Sequence, residues 1–467
     1  MNAIELLGYA FAAMPYVLAV TFAFALSTLL VGLYRSPVAG VIAVLAISVW
    51  EGAAYQLSSF KLGLAWTPQD LVSGLIGLAV VLRLAFVQDA RANVPGIFIV
   101  LVAVMLLSFG RGILGHGTSA GVEFRPVFYF WVTCLYLLTF RPEQLWIDSL
   151  LRWWSVAAFL LCLVVWYRWA ADAFGLDWVE PVWHYTDSTG VGFARVAPSN
   201  VAFFLGLALL ISVSQLATVG ASARHYVLIP ALLLTIVVLQ HRSAWAASFV
   251  PMIWLLWRVR ADRQQRSLGP VMAVVVAIVV VAGALGSGSF SGVSESVTEQ
   301  AERATSTQSG TFVARAEGWK ALMQQWIAGG PKVWVLGNPY GSGFARYQGA
   351  TWGGVEVTYS PHNYYVSLLM RVGVVGTAAV CLLLWRAWSW SMRHGTPAGG
   401  LTRPLAGALT LSIALYWIPY STTFESSLLF GAVLCCAGRR GWHEAMNSPQ
   451  EATTNTPGLA AESGRAQ

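Results

Sequence analysis

Ser199 to Thr218 reads SNVAFFLGLALLISVSQLAT, a run without one charged side chain. An α-helix rises about 1.5 Å per residue, so about 20 residues reach across the roughly 30 Å hydrocarbon core of a bilayer. In lipid every backbone N–H and C=O must be satisfied within the segment, and a helix satisfies them. The run therefore predicts a membrane-spanning helix. Comparable apolar stretches lie near 8–33, 69–87, 95–109, 124–140 and 151–171 before it, and near 225–240, 243–258, 268–286, 363–387, 402–418 and 424–438 after it. Several are shorter than a full span. Together they predict an all-α polytopic membrane protein with roughly 12 transmembrane helices. The stretch 37–50 is too short to span comfortably and can be read as half of a broken pair, which leaves the N-terminal topology open.

Composition agrees, since 57% of the 467 residues are apolar and 10% are charged, against about 25% charged in an ordinary soluble domain. The first residues carry Glu5 rather than a basic region, and the apolar run behind them is too long for a removable signal, so the first helix is expected to stay attached.

Loop charge sets the orientation. Arg258, Arg260, Arg263 and Arg266 crowd one connection with only Asp262, and Arg386, Arg393 and Arg403 flank another without an acid, so both are expected at the cytoplasmic face. The connections 172–198 and 287–361 then face the periplasm. Cytoplasmic arginines account for most of the +7 net charge, and a nucleic-acid partner is discounted because no basic soluble domain is present. Cys134, Cys162, Cys381, Cys435 and Cys436 all fall in apolar segments without a CxxC spacing, which argues against disulfides and thiolate metal sites.

Four regions follow: an N-terminal transmembrane bundle at 1–286, a periplasmic loop at 287–361, C-terminal transmembrane helices at 362–440, and a disordered cytoplasmic tail at 441–467 rich in Ser, Thr, Asn, Pro, Gly and Glu. The loop is too long to be structureless. Phe312, Ala316, Trp319, Met323 and Trp326 recur in it at helical spacing, a one-sided apolar stripe suited to lying on the bundle or on lipid. Gly337, Pro339, Gly341 and Gly343 mark turns, and His362 and Asn363 open the next membrane helix.

Polar residues are costly near a membrane, and four stand out there: Arg195, Arg242, Arg315 and His362. Each has an ordinary explanation. Arg242 could snorkel to headgroups, Arg315 and Arg195 could be solvated charges, and His362 could be a helix-end hydrogen bonder. Arg242, however, lies in the tight polar turn Gln240-His241-Arg242-Ser243, on the side where the positive-inside rule disfavours arginine. As a set, arginines facing a histidine suit an anionic lipid diphosphate and a hydroxyl nucleophile. Planar guanidinium groups stabilise the departing diphosphate, and an imidazole with a reference pKa of about 6.5 takes the acceptor's proton. No DxD sequence, GxSxG run or phosphate loop is present and carboxylates near these residues are few, so metal-independent transfer without a cofactor is expected.

Ser360-Pro361-His362-Asn363-Tyr364-Tyr365, followed by Leu368, Arg371, Gly373 and Gly376, resembles the His-Asn segment and glycine-marked helix of the O-antigen ligase and O-antigen or exopolysaccharide polymerase superfamily. Arg242-Ser243-Ala244-Trp245, Arg315 with Trp319, Gly341-Ser342-Gly343-Phe344, Arg195 through Pro198 and Asn200, and Glu123-Phe124-Arg125 resemble further motifs of those enzymes. The resemblance implies a C-type glycosyltransferase-like architecture in which Arg242 and Arg315 hold the donor diphosphate and His362 activates the acceptor. Arg195, Asn363, Arg125, Gly341 and Gly343 would contact substrate. The implied partners are an undecaprenyl-diphosphate-linked glycan donor, a glycan or lipid A core acceptor and membrane lipid, with room for a chain-length regulator. Met370-Arg371 stands where ligase relatives often carry an acid, which tilts the reading toward polymerisation. The competing readings are a ligase onto lipid A core, a more distant relative that glycosylates protein hydroxyls, a lipid-linked oligosaccharide flippase or transporter, and a structural subunit of a polysaccharide complex. A transporter would place its crucial polar groups within spans rather than at one boundary.

Overall fold

The computed structural model describes residues 20–53, 60–62, 64–176, 183–186, 192–219, 223–239, 241–262, 311–347, 356–357, 360–393 and 400–438. The expected span 268–286 and the tail from 441 lie outside them.

Apolar runs become helices in the order the sequence sets. The first half holds α1 (Val20–Arg35), α2 (Pro37–Ala53), α3 (Pro68–Phe86), the short α4 (Gln88–Asn93), α5 (Gly96–His116), α6 (Thr118–Leu138), α7 (Gln144–Ala173) and α8 (Ser199–Val219). Next come α9 (Ala223–Val238), α10 (Arg242–Asp262), α11 (Thr311–Ala328), α12 (Gly330–Leu336), α13 (Tyr364–Met392), α14 (Arg403–Tyr416) and α15 (Ser426–Cys436). Among the described residues, five helices are long and apolar enough to cross a membrane: α3, α5, α13, and most of α7 and α8. Shorter apolar helices occupy Val20–Arg35, Pro37–Ala53, Arg224–Val238 and Ser426–Cys436. This is a helical membrane protein.

The stretch 37–50 proves to be a helix of its own. Proline has no N–H to lose at a first helical position, so α2 begins at Pro37 directly after α1, and Ser36 Oγ accepts from the Val38 N–H at 3.3 Å. The fold also contains strands that the all-helical expectation omitted. β1 (Phe60–Leu62) pairs with β2 (Leu64–Trp66), β3 (Trp183–Thr186) with β4 (Gly192–Arg195), and β5 (Arg346–Tyr347) with β6 (Glu356–Val357), each as an antiparallel hairpin. All lie in connections, where local turn chemistry rather than apolar periodicity directs the chain.

The core sits around α8, which is buried along most of its length, as its uncharged sequence requires when neighbours surround it on every side. Trp154 of α7 stacks on Phe204 at 4.3 Å, and Tyr416 of α14 stacks on Phe203 at 3.8 Å. All five cysteines are free thiols, and only Cys381 is exposed.

One end of the bundle collects the polar residues. There α5 turns into α6 at Gly117, α14 connects to α15, and the α11–α12 cap lies against α13. At the opposite end Arg83 donates to the carbonyls of Tyr34 and Thr139 at 2.6 and 2.9 Å and lies 3.6 Å from the Phe140 ring.

Candidate active site

The cap forms as its apolar stripe predicts. Trp319, Met323 and Trp326 of α11 pack on a small core of Leu322, Phe344, Val366 and Met370. The Trp319 indole donates to the Pro361 carbonyl at 2.7 Å, so the stripe grips the segment just ahead of His362. The side chain of Phe312 lies outside the described residues.

Backbone geometry then presents the histidine. Asn363 is the N-cap of α13, and its side-chain oxygen accepts from the Val366 N–H at 3.0 Å. The Tyr364 N–H turns away to the carbonyls of Trp417 and Tyr420, at 2.9 and 3.0 Å. Between these anchors His362 adopts φ of 49°, the only positive φ among the described non-glycine residues. That left-handed conformation is uncommon for a side-chain-bearing residue, and such strain collects at functional sites.

Two guanidinium groups bear on the imidazole. Arg315, on the first turns of α11, donates to the Pro419 carbonyl at 3.4 Å and lies 5.6 Å from the centre of the Tyr420 ring. Arg346, at the start of β5, is buried and donates to the carbonyls of Phe344 and Ser360 at 3.2 and 3.5 Å. His362 keeps an exposed edge. Loss of hydration on its inner side, then the positive charges of Arg315 and Arg346, push its pKa down to about 4. The ring is therefore neutral at pH 7 and can accept a proton. Arg346 was not singled out in the sequence, because it follows no helical period and reaches His362 only through the fold.

Arg242 opens α10 at the polar turn expected from the sequence, of which Gln240 lies outside the described residues. Its neighbour His241 is buried, with Nε2 at 3.0 Å from the Ala197 carbonyl, which joins this turn to the end of the hairpin carrying Arg195. Arg195 itself pairs through its backbone with Trp183, and its side chain lies outside the described residues. Tyr416 of α14 reaches from the start of α8 to the histidine cluster. Tyr416 Oη lies 3.3 Å from Ser199 Oγ, and its ring stacks at 4.8 Å on Tyr420, which lies beneath Arg315.

Gly341, Gly343 and Arg125 occupy structural positions. The Gly341 N–H donates to Glu123 at 2.9 Å, and at its φ of 86° a Cβ would fall 2.6 Å from the Ala120 nitrogen, so only glycine fits there. The Gly343 carbonyl accepts from Arg371. Arg125 pairs with Asp70 at 3.3 Å, while Asp70 also caps α3 and accepts from Tyr129. The carboxylates at this end, Glu51, Asp70, Glu123 and Glu425, come from helices far apart in sequence, so they are more numerous than a linear reading indicates. Among the described residues, no three His, Cys, Asp or Glu side chains are grouped to hold a metal ion.

Arg371 is the residue the sequence undervalued. It is 2% exposed, ion-pairs with Glu123, donates to Ser342 Oγ at 2.6 Å and to the carbonyls of Pro339 and Gly343, and lies 4.0 Å from the Phe344 ring. It fastens the glycine turn to the bundle. Position 371 looked like a departure from a family pattern, whereas the fold makes it the anchor of the cap.

No curated protein matches the chain significantly. Residues 226–381, 156 of the 467, match the family model described as O-antigen ligase, a span that runs from α9 through Arg242, Arg315 and His362 into α13. The region carrying Arg242, Arg315 and His362 is thus similar to that O-antigen ligase family.

Proposed function

We propose that the protein is an inner-membrane glycosyltransferase that moves a glycan from an undecaprenyl-diphosphate donor to an acceptor hydroxyl at the periplasmic face. The observation that carries this reading is the convergence of Arg315 and Arg346 on a neutral His362 held in a strained backbone. In the reaction the acceptor oxygen attacks the donor's anomeric carbon, its proton passes to the His362 imidazole, and the bond from that carbon to the diphosphate breaks. Arg315 and Arg242, with Arg346 as a further member, take up the charge of the departing undecaprenyl diphosphate through charge-assisted hydrogen bonds. Arg195, Arg125, Asn363, Gly341 and Gly343 shape the surrounding wall.

A base with a pKa near 4 is weak in the empty site. When the donor's diphosphate occupies the guanidinium groups, their positive field on His362 is offset and the ring becomes more basic. Donor binding thus switches on the base.

Polymerisation of lipid-linked repeat units is the first reading, with a chain-length regulator as a further partner. Transfer to lipid A core is the second, favoured by the ligase description of the matching family model. Purified protein in liposomes, given one defined undecaprenyl-diphosphate repeat unit, separates them. A ladder of longer lipid-linked glycans means polymerase, and product only after lipid A core is added means ligase. Product from neither acceptor returns the transporter reading. Activity should survive EDTA, and inhibition reversed by magnesium would overturn the metal-free mechanism.

A further inference from the structure

The apolar stripe of α11 lies on the bundle, yet the corner that follows it turns apolar side chains outward. α12 reads Gly330-Pro331-Lys332-Val333-Trp334-Val335-Leu336, and none of its residues is buried. Ile327, Trp334 and Val335 are 57%, 39% and 47% exposed. The Trp334 indole donates to the Ile327 carbonyl at 2.9 Å, which gathers the end of α11 and α12 into one face. Exposed apolar surface that runs over several neighbouring residues marks contact with a partner or with lipid.

The level of this face in the bundle identifies what covers it. The chain leaving α12 runs along two spanning helices, α5 and α13. The Asn338 N–H donates to the Met370 carbonyl at 2.6 Å, Ser108 Oγ donates to the carbonyls of Asn338 and Arg371 at 3.3 and 2.6 Å, and Arg111 donates to the Gly337 carbonyl at 3.3 Å. Gly373 meets the Val335 carbonyl so closely that no Cβ fits between them. Ser108 lies eight residues short of the end of α5 at His116, and Gly373 lies nine residues beyond the start of α13 at Tyr364. At about 1.5 Å per residue, both helices therefore continue roughly 12–14 Å past the level of α12. The 21 residues of α5 reach about 31 Å, little more than the roughly 30 Å hydrocarbon core, so α12 lies beside a part of α5 that the membrane surrounds. Val374 and Val375 of α13, next to the Gly373 contact, are 49% and 37% exposed, so the outward face of α12 borders a lipid-facing strip of a spanning helix. Its polar members suit the boundary: a tryptophan ring sits at headgroup level, and a lysine stem lies along apolar surface while its ammonium reaches the headgroups.

We propose that Ile327, Trp334 and Val335, with Lys332 at their rim, form an interfacial anchor that dips the corner of the cap into the boundary between headgroups and acyl chains, in the leaflet on the active-site side. Bilayer lipid is the occupant of this face. Because α11 joins the corner to Arg315, the anchor sets the height of that guanidinium relative to the acyl chains. That this height is the one at which a lipid-borne diphosphate arrives rests on the glycosyl-transfer reading above.

The test is power-saturation EPR on the full chain, lacking its native cysteines, in nanodiscs of phosphatidylethanolamine and phosphatidylglycerol. Nitroxides at Ile327→Cys and Val335→Cys are expected to be about twofold or more as accessible to oxygen as to a water-soluble nickel chelate, and a nitroxide at Gln324→Cys, an exposed polar position of α11, to show the reverse. Labels at 327 and 335 that favour the chelate, or that are shielded from both reagents, overturn the proposal; spin–spin broadening of shielded labels would name a second copy of the chain as the occupant. Should the cysteine-free chain fail to yield monodisperse protein, p-benzoylphenylalanine at position 334 of the otherwise native chain decides. Phospholipid adducts after irradiation support the anchor, and crosslinked dimers or the absence of adducts overturn it. The liposome assay keeps the two readings apart: lipid-facing labels without any glycosyl transfer defeat the transferase and leave the anchor, whereas transfer with water-facing labels defeats the anchor and leaves the transferase.

Discussion

At the residue scale, His362 combines a left-handed backbone with a depressed pKa, and each makes its own prediction. Alanine at 362 would remove the imidazole from a φ that alanine tolerates poorly, which mixes chemistry with strain. Asparagine tolerates that φ. His362→Asn should therefore insert and melt like the wild type while losing transfer by about 100-fold or more, the scale of a lost general base; near-normal turnover would remove His362 from the reaction. The second prediction concerns pH. His362 must be neutral to accept a proton, so activity falls as pH drops through its pKa. In the free protein that pKa is about 4, so the acidic limb of kcat/KM should lie near there, and the limb of kcat should lie higher because bound diphosphate offsets Arg315 and Arg346. Coincident limbs would show that the donor does not tune the base. His362 and Arg315 were legible in the sequence because a histidine at a helix start and an arginine beside an apolar stripe are visible in one dimension. Arg346 was not, since a hairpin and a turn bring it to Ser360.

At the scale of elements, the cap formed by α11 and α12 is held by contacts that a linear reading cannot pair. At Gly373, φ is 61°, and a Cβ would fall 2.3 Å from the Val335 carbonyl, so α12 presses directly onto the kink in α13. Arg371, two residues earlier, reaches Glu123, which lies 248 positions away in sequence. Removing one member of a buried ion pair leaves the other charge uncompensated, at a cost of about 3–5 kcal/mol. Arg371→Met and Glu123→Gln should each lower the thermal midpoint clearly, and the double variant should lose less than the sum of the two. Additive losses would show that the two side chains act independently. The amphipathic stripe of α11 was legible from Trp319, Met323 and Trp326. Its docking partner was not, because Phe344, Val366 and Met370 come from two other segments.

At the scale of the whole molecule, apolar runs defined the described helices closely, since in lipid a backbone has few ways to satisfy its own polar groups. The hairpins escaped notice because they lie in connections, where no apolar period marks them. Orientation remains a prediction from arginine placement. Lys332 of α12 is exposed at the polar end, so a Lys332→Cys variant lacking the native cysteines should react with a membrane-impermeant maleimide from outside the inner membrane. Labelling only after the membrane is opened would invert the topology.

The floor beneath His362 is made late. The carbonyls of Trp417, Pro419 and Tyr420, which receive the Tyr364 N–H and the Arg315 guanidinium, belong to the link between α14 and α15. A ribosome that has just delivered His362 to the translocon has still to synthesise that link more than fifty residues downstream. Until it does, Tyr364 and Arg315 lack the carbonyls that hold them on either side of the histidine. A nascent chain can therefore hold Arg242, Arg315 and His362 before the floor beneath them exists, which on the proposed function postpones transfer until synthesis is nearly complete.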